Sequence, residues 1–207
     1  MVGSSFVADA ATGLDAWINE GVQRLHGMLV DAMGEEYVSS SSALTTVVNQ
    51  TDYALPTGFF KLYGVDYITR GETHSLVPYM RSERNIYKQP RLSPRGPPRY
   101  SLVGSNLRLL PAPQEVTTGA ILFAPEATAL VNASDAVNFP NGWERYVVLY
   151  AAIQALLKEE SSASGLKQEL AEVEKEIERT KEMRDLAMPK QVVDMDAVDF
   201  RAPWFYE

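Results

Sequence analysis

The chain has 207 residues, 45% of them hydrophobic, no cysteine, and a formal net charge of −8 at pH 7. That length suits one good core or two small ones, and the hydrophobic content suits a folded chain rather than a disordered one. The missing cysteines exclude disulfides, thiolate catalysis and Cys-ligated zinc and are compatible with a reducing cytoplasm, while the acidic balance argues against tight non-specific binding of a phosphate backbone.

In chain order, Leu14, Trp17, Ile18, Val22, Leu25, Met28, Leu29 and Met33 repeat at helical spacing. They predict an amphipathic helix from about Gly13 to Met33, opened by a capping box of Thr12 with Asp15. Gly21 and Gly27 weaken such a helix unless close packing needs their small size. Glu35 to Ser42 reads as a polar loop ahead of an extended segment, TTVVNQ.

Residues 52 to 125 carry β signals punctuated by prolines. Phe60 to Tyr63 and Val65 to Ile68 read as a strand with Gly64 as a bulge, and Tyr100 to Val103 with Leu107 to Leu110 read as a hairpin around Gly104-Ser105-Asn106. Ala120 to Phe123 is one more short strand. Between them, Lys88 to Arg99 contains QPRLSPRGPP and predicts an exposed, semi-rigid basic loop.

After Gly142 the chain turns helical again. WERYVVLYAAIQALL, from Trp143 to Leu157, is apolar on nearly every side, as a helix buried all round requires. Ser161 to Gly165 divides it from a second helix, where only a seam of Leu166, Leu170, Val173 and Ile177 remains among charged residues. That seam has coiled-coil-like spacing and reads as a rod offered to a neighbour, ended by Pro189. The terminus closes on Trp204-Phe205-Tyr206, three aromatics that a free tail would leave exposed, so burial by the fold or by another chain is expected.

Charge is unevenly placed. Arg70, Arg81, Arg84, Lys88, Arg91, Arg95 and Arg99 face only Glu72 and Glu83 in their stretch, whereas acids dominate after Lys158. An electrostatically two-ended subunit suits head-to-tail contact between copies. For chemistry the yield is small: the motifs of serine hydrolases, P-loop and dinucleotide-binding proteins and zinc proteases do not occur. Glu35-Glu36 and Glu159-Glu160 are sequence neighbours that point apart on a helix, and His26 and His74 read as structural or solvent-facing. Asp194-x-Asp196-x-x-Asp199 lacks the glycine and glutamate of a calcium loop and reads as a solvated acidic tail. Catalytic, cofactor and metal sites are therefore not expected. No apolar run reaches the roughly eighteen residues of a membrane span, and no secretory leader is expected.

Four pieces in order resemble the head-to-tail adaptor, or connector, proteins of tailed bacteriophages. They are Leu55-Pro56-x-x-Phe59 leading into Phe60 to Asp66; Arg84-Asn85; Tyr100 to Pro113; and Gly142-Trp143-Glu144-x-Tyr146 through Lys158-Glu159-Glu160 to Arg184-Asp185-x-x-x-Pro189-x-x-Val192-x-Asp194. The resemblance implies an α+β fold, mainly a helical bundle with an inserted antiparallel β-rich region and an extended C-terminal arm. On that plan residues 1–50 and 141–189 make the helical part, 51–140 the insert with its basic loop, and 190–207 the arm. It further implies a structural virion protein, made in the host cytoplasm, twelve copies of which ring the portal's exit, join it to a tail or neck protein and extend the channel for genomic DNA without gripping it. Val198, Phe200, Trp204, Phe205 and Tyr206 are then expected at the portal, and Arg84, Arg91, Arg95, Leu170, Val173 and Ile177 between subunits. The competing readings are a virion-carried cell-wall hydrolase using Glu35 or Glu36, and a scaffold or chaperone whose seam holds a partner helix.

Overall fold

The computed structural model describes residues 13–69, 71–88, 97–132, 134–137, 139 and 142–187, with backbone alone over 181–187. The architecture is mixed α+β with two antiparallel sheets. Three long helices, α1 (Leu14–Met33), α3 (Glu144–Lys158) and α4 (Ser164–Ala187), pack on one another around a single core. Among the described residues, seven strands and one short α-helix, α2 (Arg84–Lys88), lie between α1 and α3.

Strands β1 (Ser40–Thr45), β3 (Phe59–Thr69), β4 (Glu72–Ser75) and β7 (Thr118–Pro125) form one sheet in the order β1-β7-β3-β4. Strands β2 (Asp52–Ala54), β5 (Arg99–Val103) and β6 (Asn106–Leu110) form the other, in the order β2-β6-β5. The two close on a shared apolar cluster that includes Leu44, Val65, Tyr67, Leu107, Leu109 and Ile121. Inward residues alternate along β6, with Leu107 and Leu109 fully buried and Arg108 between them reaching outward to Asp52 at 2.6 and 3.1 Å. The Arg108 guanidinium holds the Asp52 carboxyl below its ordinary range.

The expected hairpin is present, closed by the two residues between Val103 and Asn106, with Gly104 at φ 60, where only glycine is unstrained. β3 is one continuous strand, and its register slips between Leu62 and Gly64 opposite β7, the bulge that Gly64 suggests. The polar loop expected over Glu35 to Ser42 is instead a short 3-10 turn, Gly34–Glu36, followed by β1. Strand pairing with β7 decides that segment, burying Leu44 and leaving Ser41, Ala43 and Thr45 exposed, so serine's preference for turns is overridden. β1 lies at the end of its sheet, in straight register, and no charged residue or proline occurs from Val38 to Asn49.

α1 begins as expected, but its N-cap is Gly13 with no side-chain cap hydrogen bond, and Thr12 lies outside the described residues. α3 and α4 are separate helices, divided at residues 159–163. α3 is not buried all round: Tyr146, Val147, Leu149, Tyr150, Ala151 and Ile153 are buried, whereas Val148 is 67% exposed. Among the described residues, the helices packed on α3 are α1 and α4, and Val148 is left to solvent. The terminal arm lies outside the described residues.

The two glycines of α1 separate cleanly. A Cβ on Gly21 would sit 3.3 Å from both Tyr150 and Val147 side chains and 3.4 Å from the Val147 backbone, so α1 and α3 approach too closely for a larger residue. On Gly27 it would meet only the Phe60 ring, at 3.7 Å. Gly27→Ala should therefore raise stability by roughly 0.5–1 kcal/mol through helix propensity. Gly21→Ala should instead lower it by about 1–3 kcal/mol through overpacking. Urea titrations of the two variants check this, and equal shifts of one sign would refute the close-approach reading.

Candidate assembly interface

Three surfaces bear on how this chain could meet others: the junction between its helices and sheets, the exposed basic segment around α2, and the outer face of α4. The junction is built on α1. His26, 5% exposed, has Nε2 at 2.9 Å from the Pro125 carbonyl and Nδ1 at 3.1 Å from the Tyr37 hydroxyl. A neutral imidazole satisfies both, with Nε2–H donating to the carbonyl and Nδ1 accepting from the phenol. Burial lowers the His26 pKa from its ordinary value, against the opposing pull of the Pro125 carbonyl. About two turns earlier, Asn19 clamps the chain that leaves β7: its Nδ2 donates to the Leu130 carbonyl at 2.9 Å and its Oδ1 accepts from Leu130 N–H at 2.7 Å. Lys61 on β3 reaches Asp31 at 2.7 Å, and Phe60 lies edge-on to the His26 ring. An open cleft of about 550 Å³ runs beside this junction, lined by His26, Tyr37, Pro125, Leu130 and Phe139 among others.

The basic segment is only partly a loop. Arg81 lies in a 3-10 turn, Arg81–Glu83, and Arg84 and Lys88 are the first and last residues of α2. Arg84 hydrogen-bonds the Arg81 carbonyl at 3.1 Å. All three cations are exposed, and no salt bridge engages them among the described residues. Arg99 is differently placed, stacked 5.0 Å above the Tyr87 ring, which is buried with Tyr79 and Leu110. Beside these cations stand large apolar side chains that the described residues do not cover: Met80 is 73% exposed and Ile86 50%. Arg70, Arg91 and Arg95 lie outside the described residues.

On α4 the structure corrects the rod expectation. Val173 is 5% exposed and Ile177 2%, and Leu166 and Leu170 pack against the same core as Val22, Leu25, Tyr146 and Tyr150. The seam is taken up by the chain's own α1 and α3, because two helices with apolar stripes lie within the same subunit. Leu170, Val173 and Ile177 therefore do not present themselves to a neighbour, and the surface required by a partner-helix chaperone is already filled. What α4 shows outward is charge, with Glu172, Glu176 and Glu178 exposed beside Lys167, Lys175 and Arg179. Glu169 pairs with Arg145 and Glu174 accepts from Tyr146 at 3.4 Å, tying α4 to α3. Burial, reinforced by Glu174, pushes the Tyr146 phenol up to about 12.

The acid pairs do not form a catalytic arrangement. Glu35, Glu36, Glu159 and Glu160 are all exposed. Neither Glu35 nor Glu36 lines the cleft beside His26 or a second one, of about 850 Å³, where Glu72, His74 and Glu115 stand among Pro97, Pro111 and Pro113. Among the described residues no group of three His, Asp or Glu side chains is placed to hold a metal, and no helix is long and apolar enough to cross a membrane. Val198, Phe200, Trp204, Phe205 and Tyr206 lie outside the described residues. The sequence marked α2's cations and missed Asn19, one polar residue among the several of an amphipathic helix.

Compared with known proteins, the chain matches a family model described as SU10 adaptor protein over residues 2–197. No curated protein matches it.

The junction predicts a pH dependence. The His26 pKa is lower in the folded chain than unfolded, so the unfolded state binds the proton first. This contribution to stability is whole above about pH 6.5 and is lost as pH falls from there through the folded value. Thermal melts should show a drop in Tm below about pH 6.5 that is smaller in His26→Gln. An identical pH profile in both would show that His26 does not couple protonation to folding.

Proposed function

This chain belongs to the SU10 adaptor protein family, a family of tailed-phage adaptors, and from that premise we propose that it is the ring-forming joint between portal and tail. The observation that carries the reading is the family match across residues 2–197, which takes in the helical part and both sheets. On this reading the chain is a structural virion component that performs no turnover, and twelve copies form a ring whose bore continues the DNA channel.

The physical features support it. Head-to-tail rings need two different, complementary surfaces on every copy. Arg81, Arg84 and Lys88 form one, exposed and in no salt bridge among the described residues. The partner acids come from the next copy, whose charge is concentrated after Lys158. Arg91 and Arg95 extend the basic surface in sequence. A net charge of −8 lets DNA slide past such a ring without being held, since the phosphates meet no continuous cationic track. The tail supplies the portal contact through Val198, Phe200, Trp204, Phe205 and Tyr206, aromatic anchors of the kind that dominate interface energetics.

Deleting Asp199 to Glu207 should abolish attachment to the portal while leaving far-UV circular dichroism and Tm unchanged. Co-sedimentation with purified portal reads the first, and normal attachment of the shortened chain would remove the tail from the joint. The mass of the portal assembly with and without the intact chain gives the copy number.

A further inference from the structure

The unused cations and the uncovered apolar residues around α2 form one surface, and the chain itself contains a segment that matches it twice over. Met80 and Ile86 are exposed by 73% and 50%, next to Arg81, Arg84 and Lys88, which no acid neutralises among the described residues. Met80 follows the segment that β5 holds through Tyr79 N–H to the Tyr100 carbonyl at 3.0 Å. Apolar side chains among unpaired cations favour an occupant that brings both apolar groups and carboxylates.

The stretch from Val192 to Ala197, VVDMDA, has that composition: two carboxylates, Asp194 and Asp196, no cation, and Val192, Val193 and Met195 beside them. The acids of α4 are a poorer match, because they alternate with Lys167, Lys175 and Arg179 while the helix buries its apolar residues at home. We propose that residues 192–197 of one copy lie across the Met80–Lys88 surface of a second copy, on the way to the portal. This rests on the ring reading and names the acids that meet its basic surface. Val192 follows Ala187, where α4 ends, by five residues, a span of at most about 18 Å. The segment is therefore delivered close to the end of its own α4, and the receiving surface of the next copy must lie within that reach. The aromatic end, Phe200 to Tyr206, stays free for the portal.

The absence of native cysteine makes the test direct. Chains carrying Ile86→Cys and Met195→Cys are mixed, assembled with portal and oxidised, and Val131→Cys, at a position 83% exposed, replaces Ile86→Cys as the control. A disulfide-linked heterodimer of the first pair well above the control is expected. Arg81→Glu with Arg84→Glu in the receiving chain should lower that yield roughly three- to tenfold, the range for two exposed charge pairs. Asp194→Lys with Asp196→Lys in the donor should restore it. A yield no higher than the control overturns the proposal, as does a disulfide found only inside a chain bearing both cysteines. If the wild-type chain assembles on the portal while no linkage forms, the ring stands and this contact falls; if it does not assemble, the ring reading falls and takes the contact with it.

Discussion

α1 has to satisfy two neighbours at once, and the rest of the subunit is arranged around that demand. Val22, Leu25, Leu29 and Met33 belong to the helical core, while His26, Gly27 and Asp31 turn to Pro125, Phe60 and Lys61 of the larger sheet. A polar side chain on the second side makes sense there. A strand end presents a carbonyl that the sheet cannot satisfy, and leaving it buried without a partner would cost about 1–3 kcal/mol. His26 supplies the donor. Asn19 does the same for Leu130, offering a side-chain amide in place of a neighbouring strand. The passage that leaves β7 is thereby held along the helix at Leu130.

The helical core depends on the same helix by a different route. Gly21 brings α1 close enough to α3 for Tyr150 and Val147 to pack on its backbone, and α4 closes the third side with Val173 and Ile177. Each of those buried side chains contributes on the order of 1.5–3 kcal/mol. A thin apolar stripe is therefore sufficient for α4, since it has to fill only the groove between two helices that are already in contact.

Periodicity made the helices legible almost to their ends, because α1 and α4 each bury one stripe and the stripe repeats in the sequence. Gly64 and Gly104 announced the bulge and the hairpin for a comparable reason, as backbone requirements are local. What the residues of α4 left undetermined was the owner of the groove that the seam fills. Leu170, Val173 and Ile177 look the same whether the facing helix belongs to this chain or to another, and only tertiary packing decides. β1 was obscured by its serines, whose turn preference is weaker than a ladder of partners on β7. Asn19 was hidden because its partner, Leu130, is distant in sequence and lies in a segment with no period to read. Of the assembly surface, the cations around α2 were visible as composition, whereas the exposure of Met80 and Ile86 emerges only once the sheets are closed.

The outer side of β1 has a consequence for the life of the chain before it finds its partners. Natural sheets protect a terminal strand with charge, proline or a bulge, and β1 has none of these from Val38 to Asn49. Val47 and Val48, 48% and 44% exposed, stand in the turn that follows the strand. Two free copies can meet there backbone to backbone, a bimolecular loss whose rate grows with the square of concentration. The time a newly made copy can wait is then set by how many others are waiting, and abundant supply works against itself unless consumption keeps pace.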